Sequence, residues 1–107
     1  MKLPMPIQTY FDADRKMDSE APIRAFASDA AINDEGQSHV GHDAIEAWWR
    51  AAKAKYQHFA QPLEIGEQDD VTKVRARVTG QFPGSPATLT FAFRLAGDQI
   101  TALEIGA

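Results

Sequence analysis

The sequence predicts an α+β fold in which helices come first and an antiparallel sheet follows. Apolar residues recur with helical spacing in the N-terminal half, whereas after His58 they alternate with polar residues as in strands. Helices and strands segregated along a chain in this way favour helices packed on one face of a sheet. The 107 residues suffice for one domain with one core, so a single domain spanning residues 1–107 is predicted.

The first helix is predicted over residues 7–17, after Pro4 and Pro6. Four residues share one face at positions i, i+3, i+4 and i+7, namely Ile7, Tyr10, Phe11 and Asp14. We interpret Asp14, the polar member, as a solvated position near the helix end.

A second, short helix is predicted from a cap at Asp18 or Ser19 to about Ala27. A short strand over residues 30–33 and a turn or tight hairpin as far as Gly41 then follow.

The third helix is predicted from Asp43 to Tyr56 or Gln57, and Asp43 and Glu46 fit a capping box. Its apolar stripe recurs at helical spacing, with Ile45, Trp48, Trp49, Ala52 and Tyr56. Consecutive helical residues point about 100° apart. One tryptophan is therefore predicted to enter the core and the other to face a cavity.

Four strands are predicted near residues 59–69, 74–82, 89–95 and 100–105. Strands of this length twist strongly, so the sheet is expected to curl around the helices. Such a curl leaves a cavity between the concave face of the sheet and the first and third helices.

Composition restricts the classes of partner. The net charge is −4 and the basic residues are scattered, which argues against nucleic acid as the partner. No run of about 18 apolar residues exists, so no membrane span is predicted, and the N-terminus lacks the apolar core of a signal peptide. The chain has no cysteine, which excludes disulfides and thiolate metal sites. A cytoplasmic protein is expected.

Three short sequence motifs connect the chain to a known family. They are FASDA at residues 26–30, DEG at 34–36 and GHDAI at 41–45, followed by Trp48. With the order of elements, they resemble the SnoaL-like branch of the nuclear transport factor 2-like superfamily. The resemblance implies a cystatin-like, cone-shaped α+β barrel with three N-terminal helices on a strongly curved antiparallel sheet. It also implies a homodimer formed through the outer sheet face. Members include isomerases, cyclases, dehydratases, epoxide hydrolases and proteins without known activity, so the fold does not settle the function.

Asp34 is the first candidate for chemistry, because a carboxylate beside an apolar cavity can abstract a proton. The ketosteroid isomerases of the superfamily look most comparable. They place a catalytic aspartate at the position that matches Asp34 and an oxyanion-stabilising tyrosine at the position that matches Tyr10. The alternative is that Asp34 caps its turn and Tyr10 fills the core.

The chain departs from these relatives in one respect. The isomerases carry a second acid in the oxyanion site, whereas Leu89 or Thr90 stands at the equivalent position here, which argues against steroid-type isomerisation. Epoxide hydrolases of the superfamily use an Asp-Arg-Asp set around a water. Arg75 or Arg77 could supply the arginine, although both lie on a polar strand face.

The histidines are weaker candidates. His39 and His42 flank Gly41 near two acids, but the spacing is not a known ligand pattern, so no metal is predicted. His39 remains a candidate proton carrier at the pocket rim, whereas His58 is interpreted as structural.

Two functions stay open for the predicted pocket. The first is a cofactor-independent isomerase or cyclase that acts on a small apolar molecule with Asp34 as base. The second is a non-catalytic ligand-binding or dimerisation domain of the same fold. In either case the expected ligand-binding residues are aromatic, namely Trp48, Trp49, Phe26 and Phe11.

Overall fold

A computed structural model describes residues 1–16 and 20–107 of the chain. Two α-helices and six strands follow one another in these residues: α1 (Met5–Arg15), a 3₁₀ turn (Ile23–Ala25), β1 (Phe26–Asp34), β2 (Gln37–Val40), α2 (His42–Tyr56), β3 (Phe59–Gln68), β4 (Val71–Thr79), β5 (Ala87–Ala96) and β6 (Gln99–Gly106). The predicted α+β class is confirmed. No helix in the described ranges is both long enough and apolar enough to cross a membrane.

The six strands form one sheet in the order β2-β1-β6-β5-β4-β3. Neighbours are antiparallel except β1 and β6, which run parallel. The sheet is open, with β2 and β3 at its edges, and does not close into the predicted barrel.

Helix α1 agrees with the prediction except at its ends. It begins at Met5, with Pro4 at the N-cap, and Pro6 lies in the first turn, where a missing N–H removes no intrahelical hydrogen bond. The predicted end at Met17 lies outside the described residues.

The predicted second helix is wrong over the part that the structure describes. Asp18 and Ser19 lie outside this part, and only the 3₁₀ turn Ile23–Ala25 is helical, because β1 already begins at Phe26. Phe26 pairs with Ile100 of β6 and is fully buried. The pairing partner overrides the local helical pattern, which is too short to be stable without tertiary contacts.

Helix α2 begins one residue earlier than predicted and without a capping box. Gly41 is the N-cap, at a φ of +89° that glycine adopts readily, and Asp43 lies in the first turn without a capping hydrogen bond. Glu46 instead accepts a hydrogen bond from the backbone N–H of Ala21 at 2.8 Å. The Glu46 side chain, five residues after the N-cap, therefore ties α2 to the segment that leads into β1.

The apolar alternation in the sequence of β3 does not correspond to one buried face of the strand. The pairing of β3 with β4 shifts between Pro62 and Glu64, which indicates a bulge. Before the bulge Ala60 is buried, while Phe59 and Leu63 are 42% and 49% exposed. The alternating apolar residues of this strand are therefore divided, since Phe59 and Leu63 are exposed whereas Ile65, after the bulge, packs against the core.

The core lies between the helices and the inner face of the sheet. At its centre, the ring of Tyr10 makes edge contacts with five other rings, those of Phe11, Phe26, Trp49, Phe91 and Phe93. Such contacts add to the stability gained by aromatic burial.

Asp14 is buried, so its interpretation as a solvated residue is wrong. One carboxylate oxygen accepts a hydrogen bond from Nζ of Lys53 at 2.5 Å, and the other accepts the backbone N–H of Ala60 at 2.6 Å. Lys53 also donates to the carbonyl oxygens of Asp14 and His58. These bonds join α1, α2 and the start of β3, and they supply partners for two charges that could not otherwise be buried.

Replacing Lys53 with methionine should lower the free energy of unfolding by about 3 kcal/mol, because the Asp14 carboxylate would remain buried without its counterion. Urea unfolding of Lys53→Met measures this. Lys55→Met is the control, since Lys55 is exposed on the same helix and should cost about 0.5 kcal/mol or less. Equal, small losses in both variants would contradict the assignment.

Candidate functional site

A cavity of about 420 Å³ lies between the two helices and the sheet. This volume falls within the range of about 300–1,000 Å³ that is typical of small-molecule sites. Its walls are mostly apolar or aromatic: Trp48, Trp49, Ala52, Tyr56, Ala60, Val78, Phe82, Pro83, Leu89, Phe91 and Ile105. The polar groups that line it are few: Tyr10, Asp14, Asp34, Glu35 and His58.

Asp34 is the last residue of β1 and lies on the same strand face as the buried Ile32. The next residues, Glu35 and Gly36, turn the chain with φ values of +52° and +77°, as in the two-residue hairpin turns that match strand twist. Oδ2 of Asp34 accepts a hydrogen bond from Nε1 of Trp48 at 3.1 Å. Within the described ranges, Oδ1 has no hydrogen-bond donor, so it is free to interact with a ligand.

Tyr10 presents a hydroxyl group to the same cavity. The residue is only 2% exposed, and its hydroxyl has no hydrogen-bond partner in the described part of the chain. Burial raises the pKa of Tyr10 well above its ordinary value, and the carboxylates of Asp14 and Asp34 raise it further. Tyr10 therefore stays protonated near neutral pH and can donate a hydrogen bond to a ligand.

His58 contacts Lys53 and also lines the cavity. Its Nδ1 lies 3.3 Å from Nζ of Lys53, and an ammonium group can only donate, so Nδ1 accepts. Burial lowers the pKa of His58 and the Lys53 charge lowers it further, while Asp14 and Asp34 oppose these effects. The ring is therefore neutral near pH 7, with its proton on Nε2, and its 3.6 Å approach to Asp14 is not an ion pair.

An exposed hydrogen bond joins two residues that line the cavity. The hydroxyl of Tyr56 donates to Oε1 of Glu35 at 2.9 Å, and the Tyr56 ring meets Phe82 edge to face. Glu35 follows β1, Tyr56 ends α2, and Phe82 lies in the loop after β4, so three segments meet here.

The aromatic residues expected to bind ligand divide into two pairs. Trp48 and Trp49 both line the cavity. Phe11 and Phe26 do not, because they are packed in the core against the ring of Tyr10, at centroid distances of 5.2 and 6.2 Å. They support the cavity wall without forming part of it.

The other two histidines lie outside the cavity lining. His39, the predicted rim proton carrier, is on β2 and does not line the cavity, although its ring lies 6.1 Å from that of Trp48, which does. Nε2 of His42 donates to the carbonyl oxygen of Phe26 at 2.9 Å, which holds α2 to β1. Within residues 1–16 and 20–107, no group of three or more acidic and histidine side chains could hold a metal ion.

The steroid isomerase and epoxide hydrolase alternatives each require a residue that the cavity lining lacks. Leu89 lines it, so the wall is apolar where the steroid isomerases would have an acid. Arg75 is 3.5 Å from Glu64 in an exposed pair, and neither Arg75 nor Arg77 lines the cavity.

Helical spacing in the sequence already indicates the buried pair of Asp14 and Lys53. Lys53 follows Trp49 by four residues, so it shares the buried face of α2, just as Asp14 shares the buried face of α1 with Tyr10. Opposite charges on two buried helix faces indicate a buried pair. His58 could then have been recognised as a neighbour of that pair.

The stability of the protein should fall as the pH is lowered from 8 to 5.5, in part through His58. Because the pKa of His58 is lower in the folded protein, its contribution is fully present above the unfolded pKa of about 6.5 and is lost as the pH falls through the folded pKa. Urea unfolding of the wild type and of His58→Gln at both pH values isolates the contribution of His58 to this pH dependence. An identical pH dependence in the two proteins would contradict the shift.

Comparisons with known proteins agree with the predicted family. A family model described as a SnoaL-like domain matches residues 7–103. A solved structure from Sinorhizobium meliloti, a protein provisionally named a polyketide cyclase, is 47% identical, with a TM-score of 0.90 over 96% of this chain and 94% of that one. No functionally curated protein matches.

Two more distant structures share the fold alone. One is a protein of ketosteroid isomerase-like fold from Catenulispora acidiphila, solved with trimethylamine, at 18% identity and a TM-score of 0.84 over 99% of this chain and 87% of that one. The other is a cystatin-fold protein from Novosphingobium aromaticivorans, at 19% identity and a TM-score of 0.78 over 100% and 99%. Since the family model covers nearly the whole chain, the protein belongs to the SnoaL-like domain family of the nuclear transport factor 2-like superfamily.

Proposed function

We propose that this protein is a cofactor-independent proton-transfer enzyme, an isomerase or cyclase, that acts on a small and largely apolar ketone. The observation that carries the proposal is that Asp34 and Tyr10 line one cavity, the first with a free carboxylate oxygen and the second with a free hydroxyl group. A base and a hydrogen-bond donor are the two groups that enolisation of a ketone requires.

The reaction can be written with these two groups. Oδ1 of Asp34 takes a proton from the carbon next to the carbonyl, the C–H electrons form a C=C bond, and the carbonyl oxygen becomes an enolate oxygen. The hydroxyl of Tyr10 donates a hydrogen bond to that oxygen. In an isomerisation Asp34 returns the proton to another carbon. In a cyclisation the enolate carbon attacks a second carbonyl of the same molecule, and the proton goes to the new alkoxide.

The surroundings of both groups suit these roles. The Trp48 N–H holds Oδ2 of Asp34, which orients Oδ1 without neutralising the carboxylate. Tyr10 stays protonated because burial and the two nearby carboxylates disfavour a phenolate. The apolar wall has few groups that could hold water molecules near the substrate carbonyl, so little water competes with Tyr10 for a hydrogen bond to it.

The similarity to the protein from Sinorhizobium meliloti supports the cyclase form of the proposal. The apolar wall at Leu89, in place of a second acid, also distinguishes the cavity from that of a steroid isomerase. A polyketide-like ketone is therefore the substrate class that we favour.

Asp34→Asn should lower kcat/KM by about 10³-fold, since removal of a general base costs about 10²–10⁴-fold. The substrates are a β,γ-unsaturated cyclic ketone, followed by the absorbance of the conjugated product, and a panel of linear polyketide mimics. Asp29→Asn is the control, because Asp29 is exposed on the same strand.

Unchanged turnover in Asp34→Asn on every substrate that the wild type converts would exclude Asp34 as the base. A wild type that binds ligands but converts none would favour the non-catalytic ligand-binding alternative.

We also propose that the chain forms a homodimer through the outer face of its sheet. Small residues occupy this face on three strands: Ala31 of β1 is paired with Ala102 of β6, and Ala92 lies on β5. The neighbouring Val40 is 61% exposed. These small residues form a patch that can approach a copy of itself closely, as a two-fold interface requires. Charged residues surround the patch, since Ala92 pairs with Lys73 on one side and with Glu104 on the other.

Ala92→Arg should weaken this dimer by about tenfold or more, because it places a long cation on the face. Sedimentation or light scattering over a range of protein concentrations measures the change. Ala51→Arg, on the exposed side of α2, should leave the dimer unchanged. A wild type that stays monomeric at about 100 times the concentrations used for activity would contradict the proposal.

A further inference from the structure

We infer that His58 is a second hydrogen-bond donor to the ligand, with its Nε2–H directed into the cavity that Tyr10 also lines, so that the cavity takes a ligand whose oxygen carries negative charge. Phenolates and enolates are the corresponding ligand classes. The inference rests on the proposed function, because it assigns a donor to the enolate oxygen, but it concerns a residue to which neither the sequence nor the comparisons gave a ligand role.

The first step of the argument is position. Asp14 lies one helical turn after Tyr10 on the buried face of α1, and its Oδ1 lies 3.6 Å from Nδ1 of His58. The carboxylate of Asp34 influences the pKa of both Tyr10 and His58. Both side chains line the same cavity as Asp34, so one ligand can contact all three.

The second step is which ring nitrogen is available. Nδ1 of His58 faces the Lys53 ammonium at 3.3 Å, and the carbonyl oxygen of His58 accepts from the same ammonium at 2.8 Å. The ring is thus anchored by its Nδ1 edge. Nε2 has no hydrogen-bond partner in the described residues, and it is not fully enclosed, because no fully enclosed polar side-chain atom of these residues lacks a partner. It belongs to a residue that lines the cavity.

The third step is the donor strength of that nitrogen. Lys53 fixes the Nε2–H tautomer and withdraws electron density from the ring by donating to Nδ1, which makes Nε2–H a stronger donor. The Asp14 carboxylate is fully engaged by Lys53 and Ala60, so it does not take this proton. A ligand oxygen therefore meets two neutral donors, one from Tyr10 and one from His58.

The test compares two substitutions that keep an N–H in different places. Gln places its amide nitrogen near the Nε2 position of histidine, whereas Asn reaches only as far as Nδ1. The probe is 4-nitrophenolate, whose absorbance reports binding to the wild type, His58→Gln and His58→Asn at a pH where the free phenol is ionised. We expect His58→Asn to weaken binding about tenfold, as for loss of a hydrogen bond to a charged group, and His58→Gln to stay within about threefold.

A wild type that does not bind the phenolate, or equal affinities in the two variants, would overturn the inference. A second measurement needs no variant: ¹⁵N NMR of the wild type should show neutral His58 with its proton on Nε2 at pH 7, and a proton on Nδ1 would also overturn it.

The results are separable from those for the proposed function. If Asp34→Asn abolishes turnover while His58→Asn binds the phenolate like the wild type, the inference about His58 fails alone. If His58→Asn loses phenolate affinity while Asp34→Asn retains turnover, the proton-transfer mechanism fails and the two-donor site stands.

Discussion

The buried ion pair of Asp14 and Lys53 is the interaction on which the cavity depends. It joins positions 39 residues apart, and through Ala60 and His58 it includes the first residues of β3. Burying two charges costs several kcal/mol per ion, so the gain in stability over an apolar pair is small at best. The pair instead fixes the relative positions of α1, α2 and β3. The hydrogen bonds to both carboxylate oxygens can all form in only one arrangement of these three elements.

This arrangement separates the polar groups of the cavity into two kinds. Asp34 receives one N–H from Trp48 and keeps an oxygen free, whereas Tyr10 and His58 are kept neutral and protonated by burial and by nearby charges. An acceptor and a pair of donors in one apolar cavity can polarise a ligand between them. Different surroundings thus give different roles to titratable groups within one small domain.

The sequence predicted most elements, because α1, α2 and the last four strands carry the periodicity of their own secondary structure. It failed where distant residues decide the outcome. Phe26 has a spacing that fits a helix, yet its pairing with Ile100 makes it a strand residue. Asp14 looked solvated because Lys53 is remote in sequence, and the bulge in β3 cannot be read from alternation alone. Tyr10 and Asp34 came from the family resemblance, whereas the ligand-facing edge of His58 required the three-dimensional arrangement.

The parallel pairing of β1 with β6 has a consequence for how the chain is made. The hairpin of β1 and β2 and the meander from β3 to β5 can each form from local contacts, but only β6 connects them. During synthesis both pieces must wait for β6 to leave the ribosome, with one edge of β1 and one edge of β5 unpaired. The edge of β1 therefore stays unpaired while β3, β4 and β5 are made, whereas the edge of β5 waits only for the strand that follows it directly.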